Sequence, residues 1–229
     1  PPKFITDLKL GLSPFTVDLY DTEERVLLAG SWCITTETNQ ILKKKNIRYT
    51  IQKPRTLTKN KFNNEAEYCL KIYNKYAEIL ANEFNRIHKT DYSVRYWSTL
   101  CHRILYPLTA SIIDKYHNLK LIHDNHKNIV ADTINYTTQW FDSHSIPSFG
   151  GSRLIHFVLY SIIVDNYTEI SSQKVNDNMI RDQLSKIGDG KKDPRSRNKN
   201  ITPKQQLSYT NIAFINALRG RLPLSMLKY

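Results

Sequence analysis

The chain has 229 residues, of which 40% are hydrophobic, with seven glycines against fourteen tyrosines. This composition excludes wholesale disorder, because it supplies enough apolar residues for a core. It also disfavours a turn-rich barrel and a glycine-rich cofactor loop. The longest apolar stretch, Ile155 to Val164, is about half the length that crosses a bilayer. We therefore expect a soluble protein.

Lysine and arginine (33) exceed aspartate and glutamate (21) by 12. Such an excess is typical of proteins whose partners carry phosphate, such as nucleic acid, a nucleotide or an anionic membrane face. The excess is concentrated from Lys174 to the last residue, where there are twelve basic residues and four acidic ones. A solvated surface explains the same charge, so both interpretations stay open.

The three cysteines, Cys33, Cys69 and Cys101, are far apart in the sequence and odd in number. Their spacing indicates neither a metal site nor a disulfide framework, which fits a reducing cytoplasm. Cys69 and Cys101 fall on apolar faces of predicted helices, where a buried thiol is expected.

A β-α-β unit is predicted near the start of the chain. The apolar run from Arg25 to Gly30 predicts a short buried strand, and the alternation from Ile47 to Ile51 predicts a second. Glu37 to Lys45 between them fits a short helix, so the order favours a small parallel sheet. The first 24 residues show no clear pattern.

Two long helices follow. The first is predicted to begin at Asn63 or Asn64 and to continue to Ile87, with apolar residues every three or four positions. The second is predicted to begin at Ser93 and to continue to Tyr116, with Pro107 kinking or splitting it.

The later part of the chain is less regular. Ile129 to Ala131 fits a strand, Leu154 to Val164 fits a buried helix or strand, and Ser171 to Lys186 has helical spacing. Gly188 to Lys199 has no apolar residue and predicts an exposed loop or linker, whereas Pro203 to Arg219 predicts a last helix.

These patterns divide the chain into three parts. Residues 1–186 are predicted to form an α/β domain, 187–202 a basic exposed loop or linker, and 203–229 a helical segment.

Three stretches carry a resemblance to a known family. They are Leu28 to Cys33, the helix end Phe84-Asn85-Arg86-Ile87-His88, and Ser93 to Leu100 with its Arg-Tyr-Trp. Their order and spacing resemble the amino-terminal region of a family of bacterial transferases found with O-antigen and other surface-polysaccharide genes. The chain departs from that family where Cys101-His102-Arg103 stands in place of Gly-Pro-Trp.

The resemblance implies a helix-rich α/β fold with a small parallel Rossmann-like sheet, like one half of a GT-B glycosyltransferase. This chain would be the acceptor-side part, completed by a carboxy-terminal half or a partner chain. The resemblance also implies a nucleotide-sugar donor as substrate rather than a resident cofactor. It implies a glycan acceptor, which can be lipid-linked, and no nucleic acid as partner. The expected location is the cytoplasm, with peripheral contact at the inner membrane.

Ser31 and Trp32 follow a predicted strand, at the end where open α/β sheets bind ligands. Trp32 is suited to stacking on a sugar and Ser31 to bonding a hydroxyl. The alternative is that Trp32 and Cys33 pack under the next helix.

Arg95 and Tyr96 open a predicted helix, where a guanidinium can pair with phosphate or carboxylate. The alternative is that Arg95 caps the helix or bridges to Asp91.

Gly151 and Arg153 belong to a Gly-Gly-Ser-Arg turn that could wrap a phosphate, although an ordinary turn explains it equally.

His123 and His126 have the spacing of a metal pair without a third ligand, and a solvated helix end is expected there. The sequence singles out no catalytic residue and no metal site.

A second functional class remains open at this point. The net charge, the tyrosine content and the run from Lys191 to Lys199 also fit a non-catalytic basic module that binds RNA or an anionic surface. No RRM, KH or helix-turn-helix signature supports it.

Overall fold

A computed structural model describes residues 8–136 and 153–187. The described residues form five parallel strands: β1 (Leu8–Gly11), β2 (Val26–Leu28), β3 (Tyr49–Ile51), β4 (Ile129–Ile134) and β5 (Ser171–Val175). Five α-helices accompany them: α1 (Thr36–Lys44), α2 (Lys59–His88), α3 (Val94–Asn125), α4 (Arg153–Tyr167) and α5 (Asp177–Ile187). Pro14–Leu19 and Ser31–Cys33 form short 3-10 helices.

The strand order in the sheet is β3-β2-β1-β4-β5. The chain builds outward from β1 to β3 on one side, then returns to add β4 and β5 on the other side of β1. This parallel order confirms the predicted helix-rich α/β, Rossmann-like fold and the β2-α1-β3 unit. In such sheets ligands bind beyond the carboxyl ends of the strands, where the order reverses.

Strand β1 was not predicted, because its four residues include Lys9 and show no clear alternation. The strand lies between β2 and β4, where Leu10 is buried and Lys9 forms an ion pair. The Lys9 ammonium lies 3.0 Å from the Asp132 carboxylate on β4 and donates to Gln173 on β5. Burial raises the pKa of Asp132, and the Lys9 hydrogen bond and charge act in the opposite direction. A polar row therefore links three adjacent strands.

The helical interpretation of Ser171 to Lys186 is wrong for its first part. Residues 171–175 form β5, and α5 begins only at Asp177. The strand is polar and exposed up to Lys174, so the sequence lacks the alternation that marks a half-buried strand. Pairing with β4 over five consecutive positions decides its conformation.

The two long helices are confirmed, with changed limits. α2 begins at Lys59, where the Thr58 side chain accepts a hydrogen bond from the Lys61 N–H, ahead of the predicted start. Its exposed first turn has no apolar periodicity to reveal it. α3 continues through Pro107 without being split. Proline removes one backbone hydrogen bond from the helix. Burial of Leu105 and Leu108, on either side of Pro107, offsets that loss and keeps the helix continuous.

The segment Leu154 to Val164 is part of helix α4, which lies across the sheet. Tyr160 reaches the residues after β2, and the Ser161 hydroxyl accepts from the Ile134 N–H at the end of β4. Asp165 pairs with Lys174 of β5. Ten residues of α4 are buried, which explains its continuously apolar sequence.

The described chain consists of two compact units. The first unit contains the sheet, α1, α4, α5 and the part of α3 from Lys115 onward. The second contains α2 and α3 up to Asp114, which pack through a cluster that includes Tyr73, Leu80, Phe84 and Leu105. The predicted basic loop and last helix lie outside the described residues from 188 onward. No helix in the described ranges is long and apolar enough to span a bilayer.

We predict that Gly11→Ala destabilises the fold. A Cβ at Gly11 would lie 2.5 Å from the Tyr20 hydroxyl and 2.6 Å from Leu28 Cδ2, and both side chains are fully buried. The expected loss is about 1–3 kcal/mol of unfolding free energy, measured by urea denaturation. The loss should be smaller in a Tyr20→Phe background, which removes one of the two clashing atoms. Equal losses in both backgrounds would contradict this packing.

Candidate functional site

Trp32 follows β2 by one short turn and forms an aromatic platform. Its ring stacks on Tyr160 of α4, with 5.9 Å between the ring centroids and 13° between the planes. Tyr160 is 2% exposed, whereas Trp32 is 43% exposed. The indole is therefore supported from within the protein and presents a large part of its surface to solvent. The ring lies just after a strand, the position at which the sequence analysis expected a ligand-stacking side chain.

Two buried polar residues of α3 support the platform. The Asn118 amide donates to the Ala29 carbonyl oxygen at 3.0 Å and contacts the Tyr160 hydroxyl at 3.4 Å. The Lys115 ammonium lies 5.4 Å from the centroid of the Tyr160 ring. Asn118 thus ties the backbone before Trp32 to the ring beneath it. Sequence analysis missed both residues, although polar side chains within an apolar helical pattern were a signal for them.

Gly30 makes room for the indole. A Cβ at Gly30 would lie 2.0 Å from Trp32 Cζ3, inside the ring's van der Waals surface. Gly30 has a φ of 176°, which is extended backbone that any residue adopts, so the requirement is for space. The Gly-Ser-Trp-Cys sequence therefore encodes the position of the ring.

Ser31 and Cys33 point to different surroundings. Ser31 is exposed beside Trp32, so its hydroxyl is accessible to a ligand. Cys33 is fully buried, and its Sγ donates to the Gly11 carbonyl oxygen at 3.3 Å. Burial raises the pKa of Cys33 to about 12. The alternative that Trp32 and Cys33 both pack inside is therefore correct for Cys33 alone.

Arg153 begins α4 and is half-buried. The pKa of Glu37, in the first turn of α1, is lowered by the Thr35 side chain and, more weakly, by the charge of Arg153. Arg153 therefore lies close enough to the amino end of α1 to act on a charge there. Gly151, predicted to share a phosphate-binding turn with Arg153, lies outside the described residues.

Arg95 and Tyr96 belong to the second unit, whereas Ser31, Trp32 and Arg153 belong to the first. Tyr96 is 44% exposed, with its ring centroid 4.4 Å from that of Tyr92. Arg95 is exposed, and no ion pair joins it to Asp91 in the described chain. The alternative of an Arg95–Asp91 bridge is therefore not realised.

The turn between α2 and α3 is organised by Asn85, which sequence analysis did not single out. The Asn85 Oδ1 accepts from the Trp97 indole N–H at 2.8 Å and from the Tyr92 N–H at 3.0 Å. The Asn85 amide in turn donates to the Tyr92 carbonyl oxygen at 2.8 Å. These bonds fix the start of α3 and hold Trp97 against α2, so Trp97 is structural.

The two histidines near the end of α3 do not form a metal site with other described residues. His123 lies in the last turn of α3, 3.7 Å from an Asp124 carboxylate oxygen, and His126 follows the helix. No group of three or more potential metal ligands occurs in the described ranges.

Comparison with known proteins assigns the chain to a family. A family model described as LIC12162 family transferase matches residues 16–227. The chain belongs to this transferase family. The match confirms the transferase part of the predicted resemblance. Searches of curated proteins and of solved structures gave no significant match.

We predict that Gly30→Ala displaces the Trp32 ring without unfolding the protein. The added methyl group and the indole cannot occupy the same space, and the exposed ring can move outward. The near-ultraviolet circular dichroism of the stacked ring should decrease, while the far-ultraviolet spectrum stays unchanged. An unchanged near-ultraviolet signal would contradict the stacked geometry.

We also predict that Cys33 is inert to thiol reagents in the native protein. With a pKa of about 12, only about one in 10,000 of its thiols is ionised at pH 8. Burial also raises the pKa values of Cys69 and Cys101, but Cys101 is only half-buried. Reaction with DTNB should therefore be fastest at Cys101 and slowest at Cys33, and all three should react after denaturation. Rapid native labelling of Cys33, measured by peptide mass spectrometry, would contradict this order.

Proposed function

We propose that this transferase is a glycosyltransferase that moves a sugar from a nucleotide-sugar donor to a cell-surface glycan acceptor. The observation that supports it is the exposed Trp32 ring stacked on Tyr160, beyond the carboxyl end of a parallel strand. The polysaccharide role follows the resemblance of the Gly-x-Trp-Cys and Arg-Tyr-Trp stretches.

An exposed indole suits a sugar acceptor. One face of a pyranose ring is lined with C–H groups, which pack on a flat aromatic surface while the hydroxyl groups point outward. Tryptophan presents a large apolar area with little conformational freedom. The neighbouring Ser31 hydroxyl can donate to or accept from a sugar hydroxyl. The platform therefore supplies both the apolar and the polar half of carbohydrate recognition.

The proposed donor is bound as a substrate, and no resident cofactor is proposed. Arg153 at the start of α4 is placed to meet a phosphate, since a guanidinium pairs with phosphate oxygens and the helix amino end favours negative charge. Gly151 is proposed as its neighbour in the same contact. Arg95 and Tyr96 remain proposed substrate contacts, carried by the second unit.

In the transfer step the acceptor hydroxyl oxygen bonds to the anomeric carbon, the bond to the nucleoside phosphate breaks, and a base removes the hydroxyl proton. Cys33 is unsuited to nucleophilic or base chemistry at neutral pH, because burial holds its thiol protonated.

We propose that the chain acts as a GT-B-like acceptor-side half, together with a further domain or partner chain, in the cytoplasm at the inner membrane. The acceptor would then be a glycan on a lipid carrier, and nucleic acid would not be a partner.

We predict that Trp32→Ala weakens glycan binding about tenfold, equivalent to about 1.4 kcal/mol. Trp32→Phe should retain part of the affinity, because it keeps a smaller aromatic surface. Binding would be measured by saturation-transfer NMR and titration with surface-polysaccharide oligosaccharides. Phe62→Ala is the matched control, since Phe62 is 60% exposed but lies on α2 in the second unit.

Equal glycan affinity for Trp32→Ala and the unmodified chain would contradict the platform. The same titrations with nucleotide sugars test the donor contacts, where Arg153→Gln and Arg95→Gln should each weaken binding. Salt-sensitive binding to RNA, with no affinity for glycans or nucleotide sugars, would instead support the basic-module alternative.

A further inference from the structure

The first half of α3 carries an exposed stripe that the proposed transfer reaction does not use as a whole. Tyr96, Leu100, Arg103 and Pro107 follow one another at spacings of three or four residues, so they lie along one side of the helix. Tyr92 lies two residues before the helix and extends this row, with its ring centroid 4.4 Å from that of Tyr96. All five are exposed, with Tyr92 at 48%, Tyr96 at 44% and Leu100 at 58%. We call these five residues the α3 stripe.

Most of the contact between α3 and α2 is made by residues outside the α3 stripe, although the rings of Tyr92 and Tyr96 also contact Trp97, with 6.0 Å and 5.2 Å between the centroids. The helix contacts α2 through other positions, including buried Leu105 and half-buried Trp97 and Cys101. Three large apolar side chains at consecutive stripe positions therefore remain in contact with water. Single exposed apolar residues are ordinary, whereas a continuous row indicates a binding surface.

Between Asp91 and Asp114, the residues that carry the α3 stripe have charge of one sign. Residues 92–113 include Arg95, His102 and Arg103 and contain no aspartate or glutamate. Arg95 and Arg103 are exposed, and the described residues provide no ion-pair partner for either. The surface thus combines aromatic and aliphatic groups with two exposed arginines that form no ion pair among the described residues.

The combination of apolar side chains and arginines favours one kind of binding partner over the others. A second copy of the chain would place arginines against arginines, with no acidic residue from either stripe to compensate them. A neutral glycan could accept hydrogen bonds from the two guanidinium groups but would not match their charge. An anionic bilayer satisfies both features, because tyrosines favour the headgroup region, leucine favours the acyl boundary and arginines attract lipid phosphates.

We propose that the α3 stripe docks the protein on an anionic lipid bilayer. Tyr92, Tyr96 and Leu100 enter the interface, and Arg95 and Arg103 bind lipid phosphate groups. Arg95 and Tyr96 are also proposed substrate contacts, but the inference does not rest on the proposed sugar transfer, because the bilayer need contain neither a glycan nor a nucleotide sugar.

The test is flotation of the full chain with vesicles of phosphatidylcholine alone and of equal parts phosphatidylcholine and phosphatidylglycerol. The unmodified chain should float only with the anionic vesicles. Tyr96→Ser combined with Leu100→Ser should reduce the bound fraction at least fivefold. Arg95→Gln combined with Arg103→Gln should do the same, and added salt should weaken the binding that the arginines support.

Matched controls lie on α2. Phe62 and Leu70 are 60% and 49% exposed, so Phe62→Ser with Leu70→Ser removes comparable apolar surface. Lys71→Gln with Lys75→Gln removes two exposed charges. Neither control pair should change vesicle binding by more than twofold. All substituted residues are exposed, so the variants should fold, and an unchanged circular dichroism spectrum would verify this.

Three outcomes would overturn the proposal. Absence of binding to anionic vesicles is the first. The second is binding that both stripe variants retain but that is lost when the basic residues between Lys191 and Lys199 are replaced with glutamine. The third is a dimer in sedimentation velocity that only the stripe variants dissociate, which would assign the stripe to a second copy.

Discussion

The close packing around Gly11 holds the first unit together. Its carbonyl oxygen accepts from the Ala29 N–H at 2.8 Å and from Cys33 Sγ at 3.3 Å, while Tyr20 and Leu28 fill the space where a side chain would stand. The end of β1 is therefore joined directly to the turn after β2. Because that turn carries Trp32, sheet packing also sets the position of the proposed acceptor platform.

Helix α4 provides the other half of this arrangement. It lies across the sheet with Tyr160 beneath the indole, so the platform is built from segments far apart in sequence. Asn118 of α3 joins the same group through the Ala29 carbonyl oxygen and the Tyr160 hydroxyl. A rigid support of this kind lowers the entropy lost when a ligand orders the ring. The exposed ring can therefore serve recognition without rearrangement of the core.

The two units present surfaces of different chemistry. The first offers an aromatic ring beside a hydroxyl, which suits a neutral sugar, whereas the second offers an apolar stripe flanked by arginines, which suits an anionic interface. For a transferase proposed to extend glycans on lipid carriers, sugar recognition and membrane recognition are separate tasks. Substitutions at Trp32 and at Leu100 therefore test the two surfaces separately.

Local patterns in the sequence were sufficient for the β2-α1-β3 unit and for most of α2 and α3, because regular spacing of apolar residues records which face is buried. They also placed Trp32 at a strand end, and the short motifs around it indicated a transferase. Strands β1 and β5 could not be predicted, because both are short and polar in part and take their conformation from β4. The roles of Asn118 and Tyr160 likewise depend on contacts across 42 positions of sequence. Long-range pairing and side-chain burial, which no local window contains, were decided only by the tertiary structure.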